Sequence, residues 1–470
     1  MSDKIIYPSV ELFLYDLKDG LGQDQAKIEN NLKEFLQKIF WDFDENSFLQ
    51  KYKQIKNNQH GDISAIELLE TRIRKFNSPL DGYYYPVQVG DTYALQVNYS
   101  GKLDADGKYN DSEQSFDDQL FQNLKQEIEN RIKNKTGTIG QTWLIWGKLA
   151  ENKSDDQIEA VAKQCYTQIV SNYKWDRDLI GKGKLLGGTV FELWYLPEDA
   201  GVISKEFWQK FSKESHHVLI WLFAADISAD EMRTRVQKIG QDFLRLLQYR
   251  HKIVWAYYQS LYQKNKLKTE FIKVQTSINA AQSLQTQLNQ RKLNLTELQT
   301  RLTNTLVTQS DYTIELNYLD DQTRNIKTNL ENYKYRLAEI SRKHQGSDLH
   351  FLQEFSESEI YAQKYLRQAE TDYANLNPGL NVLQNLSNTL QGIIQLEQTK
   401  SDRKLDNTIA IVGVGLAISG LTATVATEYL PKPKQYSAYD ISVLISPAFL
   451  FSLAISAPFL IILIIRLFRR

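Results

Sequence analysis

The sequence has little cysteine, almost no net charge and no familiar catalytic motif. Its 470 residues include one cysteine, Cys165, which excludes an internal disulfide and a multi-cysteine zinc site and is typical of a reducing compartment. Lysine and arginine total 56 against 57 acidic residues, so the formal charge of −1 provides no basic field that would hold nucleic acid. We therefore expect no nucleic-acid partner, and we interpret Cys165 as a buried small side chain on a helix.

Sequence motifs for catalysis and metal binding are also missing. Neither a GxxxxGK[ST] loop nor a GxGxxG fingerprint occurs, and the order of residues shows no Ser-His-Asp or Cys-His arrangement. Asp104, Asp106 and Gly107 match half of a calcium loop, and this pattern favours a β-turn. His216 and His217 are adjacent, so on a strand they would point to opposite faces. The sequence predicts no enzyme, no catalytic residue, no metal site and no cofactor.

One glycine-rich segment is a candidate phosphate site for a cytoplasmic nucleotide-like ligand. Glycines let backbone N–H groups approach a phosphate, and two lysines there could neutralise it. A solvated turn before the next strand is the alternative. The candidate residues are Gly181, Lys182, Gly183, Lys184, Gly187 and Gly188.

Two long uncharged runs stand out near the C-terminus, although the mean hydropathy of −0.45 describes a soluble chain. Residues 408–427 and 441–465 contain no charged side chain, and a bilayer core requires about 20 apolar residues of helix. We predict two transmembrane helices, joined by an outer loop at 428–440 and followed by a basic tail at 466–470. A buried helical hairpin in a soluble core is the alternative.

Basic residues around these runs predict their orientation. Six lie outside the two runs and two lie between them, and such residues concentrate on the cytoplasmic side of a membrane. We therefore predict a protein of the inner cell membrane. Its N-terminus and C-terminus are both expected in the cytoplasm. The start of the chain also lacks the basic region and apolar run of a signal peptide. The basic residues are Lys400, Arg403, Lys404, Arg466, Arg469 and Arg470 outside, and Lys432 and Lys434 between.

Small residues form a stripe along one face of the first run. Such a stripe either packs closely against another helix or lines a pore surrounded by several copies. Its members are Ala410, Gly413, Ala417, Gly420, Thr424 and Thr427. Glu428 and Asp440 bracket the outer loop, where a symmetric ring would repeat them as cation-attracting carboxylates at an outer mouth. Solvated helix ends are the alternative for these two acids.

Heptad patterns at 231–407 predict a stalk of long antiparallel or coiled-coil helices. Breaks are expected near 346–348, where Gly346 lies, and near 377–379, where Pro378 precedes a glycine. The most regular stripe consists of Tyr312, Leu316, Leu319, Thr323, Ile326, Leu330, Tyr333, Leu337 and Ile340. A passive spacer is the alternative to an active role for these helices.

The pattern of strands and helices predicted for 1–230 indicates an α+β or α/β cytoplasmic domain. Five runs rich in β-branched and aromatic residues predict strands at 10–15, 93–97, 142–146, 190–195 and 218–223. Amphipathic patterns predict helices at about 23–41, 63–76, 117–134 and 154–170. Ser228 and Glu231 form a capping box that begins the helix leaving this domain.

This layout resembles the CorA-like divalent cation transporters. The resemblance lies in the order of domain, helical stalk, two apolar runs and basic ending Arg466-Leu467-Phe468-Arg469-Arg470. It implies a homo-oligomer, a pore lined by the first run, and a cytoplasmic domain whose ligand controls the gate. The chain departs from the family's Gly-Met-Asn signature, because Thr427-Glu428-Tyr429-Leu430-Pro431 ends the first run.

Two function classes follow from the sequence. The first is an ion conduit or membrane-permeabilising effector in the lipid bilayer, assembled as a homo-oligomer and passing cations under control of its cytoplasmic domain. The second is a membrane-anchored coiled-coil scaffold whose α/β domain binds a protein or nucleotide partner.

Overall fold

The computed structural model describes residues 4–58, 65–115, 119–197, 207, 211, 214–289, 294–344 and 346–398. Contacts divide the chain into two units. Unit 1 comprises Met1–Tyr262 and Tyr318–Glu370, and unit 2 comprises Gln263–Asn317 together with the residues from Thr371 on.

Unit 1 is built on one large mixed sheet. Within the described residues its strands are β1 Lys4–Leu17, β2 Ile66–Glu67, β3 Arg74–Lys75, β4 Leu80–Val89, β5 Thr92–Lys102, β6 Glu113–Ser115, β7 Gly140–Leu149, β8 Leu179–Leu185, β9 Gly188–Tyr195 and β10 His216–Phe223. The strand order is β2-β4-β5-β1-β7-β10-β9-β8, with β3 added to β4 and β6 added to β1. Strands β7 and β10 pair in parallel and the other pairs are antiparallel.

Helices cover both faces of this sheet. Their bounds are α1 Gln25–Gln37, α2 Glu45–Asn58, α3 Leu120–Arg131, α4 Asp155–Ile169, α5 Trp175–Asp178, α6 Ala229–Asn289, α7 Leu295–Lys343, α8 His350–Glu357 and α9 Ala362–Gln398. Apolar residues of α1, α3 and α4 pack on one face, and those of α6, α7 and α8 pack on the other. Because both faces are buried, the central strands are apolar almost throughout.

Strand β1 shows how the sequence divides between the two layers. Val10 and Leu12 lie in the core beneath α1 and α3, whereas Phe13 and Tyr15 lie in the core beneath α6, as alternation along a strand requires. All four side chains are fully buried. Three polar residues of this strand, Ser9, Glu11 and Asp16, are buried as well, and Glu11 falls on the α6 face.

The sequence-based elements compare well with this domain except at one segment. The five predicted strands lie inside β1, β5, β7, β9 and β10, and three of the predicted helices contain α1, α3 and α4. The helix predicted at 63–76 is wrong. Two short strands, β2 and β3, pair there with β4, and these tertiary pairings override the local amphipathic pattern.

Helix α4 begins with a complete capping box. The hydroxyl of Ser154 accepts a hydrogen bond from the backbone N–H of Gln157, and the Gln157 side chain accepts one from the backbone N–H of Ser154. Two N–H groups that the helix itself leaves unpaired are thereby satisfied.

Replacing Ser154 by alanine should lower the free energy of unfolding by about 1 kcal/mol, because the cap donor loses its acceptor. Denaturant unfolding of the full chain measures this loss. Ser154→Asp, which keeps an acceptor at the cap, is the matched control and should remain close to the wild type. Equal stability of the alanine and aspartate variants would contradict the assignment.

The long helices bury a narrow apolar seam. In the predicted stripe, all members except Thr323 are buried. Helix α9 is continuous across 377–379, contrary to the predicted interruption, with Pro378 inside it. In unit 2 the Tyr312 hydroxyl donates to the Leu376 carbonyl at 2.6 Å, and Gly379 makes room for that ring, since a Cβ there would lie 2.6 Å from the hydroxyl. Gly346 lies between α7 and α8.

The predicted fold class needs one correction. The sheet domain and the long helices are present, but among the described residues no helix is long and apolar enough to cross a membrane. Charged residues recur along α6, α7 and α9, so their length does not make them membrane spans. The runs 408–427 and 441–465 lie outside the described residues, and so do Ala410, Gly413, Ala417, Gly420, Thr424, Thr427, Glu428 and Asp440.

Candidate functional site

A cavity of about 1170 Å³ lies on the α6 face of the sheet in unit 1. Its lining is formed by strands β1, β4, β5 and β7, the segment 71–78 that contains β3, the loop after β5 and the first turns of α6. This volume suits a small organic molecule. The lining combines buried polar groups, aromatic rings and exposed charges.

Glu11 on β1 is the most unusual group in this lining. Its side chain accepts hydrogen bonds from the Gln96 amide at 3.1 Å, the Asn98 amide at 3.2 Å and the Trp146 indole at 3.3 Å. These three donors come from β5 and β7, the two neighbours of β1 in the sheet. All three are neutral, and burial raises the pKa of Glu11 to about 7.

A β-bulge in β1 places the side chain of Tyr7 in the lining of the same cavity. The register between β1 and β7 shifts between Ile6 and Ser9, and Tyr7 has a left-handed φ of 51°. The bulge reverses the alternation, so that Ile5 lies in one core and Tyr7 in the other. A non-glycine residue in this conformation costs energy, and such positions concentrate at ligand sites.

Two acids in the lining already have partners. The Tyr7 hydroxyl donates to Asp81 at 2.5 Å, and Arg233 on α6 donates to Asp111 at 2.6 Å. The Arg233 guanidinium also lies over the rings of Tyr7 and Tyr109, at 4.6 and 4.4 Å from their centroids. The side chains of Tyr7, Asp81, Asp111 and Arg233 thus pair with one another, whereas the carboxyl group of Glu11 contacts only neutral donors.

The remaining charges of the lining lie at exposed positions. Arg72, Lys75, Lys108 and Asp104 are exposed, whereas Glu11 is 2% exposed. The cavity thus has a polar floor out of contact with water and a charged mouth in contact with it. Arg72 pairs with Glu67 at 3.0 Å.

Gly240 supplies part of the α6 wall. A Cβ at this position would lie 3.6 Å from the Gln96 amide nitrogen, which is ordinary van der Waals contact. The absence of a side chain leaves open space beside the polar floor. This position allows the cavity to be filled without removing any polar group.

A second polar cluster lies on the same sheet face, away from the cavity lining. His251 and His217 both lie 2.7 Å from the Thr142 hydroxyl, and the other ring nitrogen of His217 lies 3.0 Å from Glu192. If His217 donates to Glu192, one direction satisfies the chain: His251 donates to Thr142, and Thr142 donates to His217. Burial holds the pKa of both imidazoles well below 6.5.

The order Thr142, His217, Glu192 repeats the nucleophile, base and acid of hydrolytic triads. Thr142 and Glu192 are both completely buried, and His217 is 2% exposed. A substrate therefore has no access to the hydroxyl. We interpret the cluster as a structural hydrogen-bond network that joins β7, β9 and β10 to α6.

Arg250 also belongs to this cluster, and its positive charge is only partly paired with the carboxylate of Glu192. Its Nε lies 3.4 Å from a Glu192 oxygen, and its guanidinium lies between Trp194 and Phe355 at 4.2 and 4.7 Å from the ring centroids. Within the part of the chain that the structure describes, the three guanidinium nitrogens have no hydrogen-bond partner, and neither has the second oxygen of Glu192. Burial lowers the pKa of Arg250 and raises that of Glu192, and each charge opposes the shift of the other.

The glycine-rich segment forms a hairpin. Gly181, Lys182, Gly183 and Lys184 lie in β8, Gly188 begins β9, and Gly187 lies in the turn with a φ of 81°. The two lysines contact acids of α4: Lys182 lies 3.3 Å from Glu159, and Lys184 lies 3.1 Å from Asp155. Gly181 and Gly183 approach Phe351 closely. Phosphate binding at this segment stays a prediction.

The other residues singled out in the sequence fall at separate places. The Asp104 side chain accepts the backbone N–H groups of Asp106 and Lys108, so this segment is a turn at the cavity mouth. His216 contacts the Tyr166 hydroxyl, and Cys165 is buried on α4. In the part of the chain that the structure describes, no group of three potential metal ligands comes together.

Sequence reasoning missed the cavity, although its floor lies in predicted strands. Glu11 and Gln96 are polar residues inside segments predicted as strands, and that exception was the available signal. Comparison with known proteins adds no family, because no family model, no curated protein and no solved structure matches this chain.

Proposed function

We propose that unit 1 is a sensor domain whose cavity binds a small polar molecule. The observation that carries this proposal is the buried polar floor of Glu11, Gln96 and Asn98, which faces a cavity instead of packed side chains. Ligand pockets have a few buried polar groups that orient the bound molecule, and this floor has that arrangement. A nucleotide-like ligand is one candidate for this molecule.

Helix α6 supports a sensing role. It contributes Arg233, Gly240 and Gln241 to the cavity lining and extends over 61 residues, from Ala229 to Asn289. A ligand that contacts the first turns of α6 changes the populations of the helix's conformations only if it binds one conformation more tightly than another. The ligand is therefore expected to change the stability of α6 as well as to occupy the cavity.

Filling the cavity tests the proposal directly. Gly240→Phe places an aromatic ring in the open space, whereas Gly240→Ala adds one methyl group at an ordinary distance and favours the helix by about 0.5–1 kcal/mol. We expect ligands that raise the melting temperature of the wild type and of Gly240→Ala to lose this effect in Gly240→Phe. The measurement is thermal unfolding of the full chain with nucleotides, nucleosides and amines, together with native mass spectrometry of the purified protein.

Failure of every compound class to stabilise the wild type, with no bound molecule in its native mass spectrum, would overturn the sensor proposal. So would equal stabilisation of the wild type and the filled variant, because the ligand would then bind elsewhere.

The response that follows binding is a further proposal with two forms. One is an oligomeric conduit or membrane-permeabilising effector like the CorA-like transporters, and the other is a coiled-coil scaffold that recruits a protein partner. Cation flux in liposomes containing the purified full chain distinguishes them when a ligand found by the Gly240 experiment is added. Flux that requires the ligand supports the conduit, and a normal assembly without flux supports the scaffold.

A further inference from the structure

The floor of the cavity contains a carboxyl group whose charge has no partner among the residues that the structure describes. Glu11 accepts three hydrogen bonds, all from neutral amide or indole groups. Among the described residues it has no ion pair, and no cation influences its pKa. A carboxylate offers about four acceptor positions, so these donors leave room for one more.

Aromatic side chains lie beside this carboxyl group in the cavity lining. Trp146 donates to Glu11, and the Tyr83 hydroxyl lies 3.2 Å from the Gln96 amide that also contacts Glu11. Aromatic faces attract cations, most strongly where water is excluded. Two arginines of the lining already have partners: Arg233 contacts Asp111 and the rings of Tyr7 and Tyr109, and Arg72 pairs with Glu67.

Resting on the proposed function, we infer that the molecule bound in this cavity is an organic cation whose N–H group pairs with Glu11. An amine, amidine or guanidine head would supply the missing fourth hydrogen bond and the missing charge together. The three neutral donors position the Glu11 carboxylate, and the aromatic side chains enclose the head.

The pH dependence of binding follows from the same geometry. A cation and a proton compete for Glu11, so cation affinity should rise between pH 6 and pH 8, as a carboxyl group with a pKa of about 7 loses its proton. Tyr83 and Asp81 on β4, Tyr7 on β1 and Arg233 on α6 are the other titratable groups facing this floor. Burial raises the pKa of both tyrosines further above that range, and Arg233 stays charged.

Calorimetry with the purified full chain tests the inference. The probes with a cationic N–H head are agmatine and putrescine, and the probes without one are 1,4-butanediol and AMP. We expect at least one of the amine or guanidine probes to bind the wild type, and Glu11→Gln to weaken that binding about tenfold or more, since a charge-assisted hydrogen bond is lost. Asp156→Asn removes one negative charge at an exposed position of α4, outside the cavity lining, and should change the affinity less than about twofold.

The outcomes separate this inference from the sensor proposal. Equal cation affinity in the wild type and Glu11→Gln overturns the inference, and so does a wild-type affinity that does not rise with pH, a readout that requires no variant. Binding of AMP or 1,4-butanediol in place of the cations, lost in Gly240→Phe, overturns the inference while leaving the sensor domain in place. No binding by any probe, and no loss of ligand response in Gly240→Phe, overturns both.

Discussion

Replacing Arg250 by methionine is expected to lower the free energy of unfolding by about 3–5 kcal/mol, the range found when one partner of a buried ion pair is removed. The change leaves Glu192 buried without a cation while His217 still donates to it. It also removes the guanidinium from between the rings of Trp194 and Phe355. Methionine keeps most of the volume, so a simple cavity does not explain the loss.

The double variant Arg250→Met with Glu192→Gln is the matched control. It removes both charges, and the amide introduced at 192 can still accept the hydrogen bond from His217. Because a buried pair is costly to desolvate, we expect this variant to recover most of the lost stability. Denaturant unfolding followed by tryptophan fluorescence provides the three free energies. A double variant no more stable than Arg250→Met would contradict the assignment of the loss to an unpaired charge.

The sequence was sufficient for the strands whose side chains need no distant partner. The segments 10–15 and 218–223 are almost wholly apolar and rich in large residues, so burial on both faces is encoded locally. Strand β4 was missed because it contains Gly82 and Pro86, which are unusual inside strands. Its pairing with β5 on one side and with β2 and β3 on the other decides its conformation.

The site depends on strand order, which a single sequence does not reveal. Glu11, Gln96 and Trp146 lie on β1, β5 and β7 and meet only because these strands are neighbours. The same holds for the second cluster, where Thr142, Glu192 and His251 are separated by tens of residues. A polar residue in a mostly apolar strand predicts a buried hydrogen-bond network. The hydrogen-bond partners of that residue are known only once the strand order is known.

The pH dependence of stability should separate Glu11 from the other buried groups. Its pKa is raised from 4.5 in the unfolded chain to about 7 in the folded one. Between these values the folded state retains a proton that the unfolded state releases, so stability falls as the pH rises through this window. The separation of the two pKa values corresponds to about 3 kcal/mol.

We therefore expect Glu11→Gln to gain about 3 kcal/mol relative to the wild type when unfolding is measured at pH 8 instead of pH 4.5. Glu192 contributes a slope of the same sign, because burial raises its pKa to about 7, whereas His217 and His251 contribute the opposite sign below pH 6.5. These contributions are common to both proteins and cancel in the difference. Parallel stability curves for the wild type and Glu11→Gln would mean that Glu11 is ionised in the folded state throughout this range. The floor would then hold its charge without a cation, because neutral donors alone would suffice.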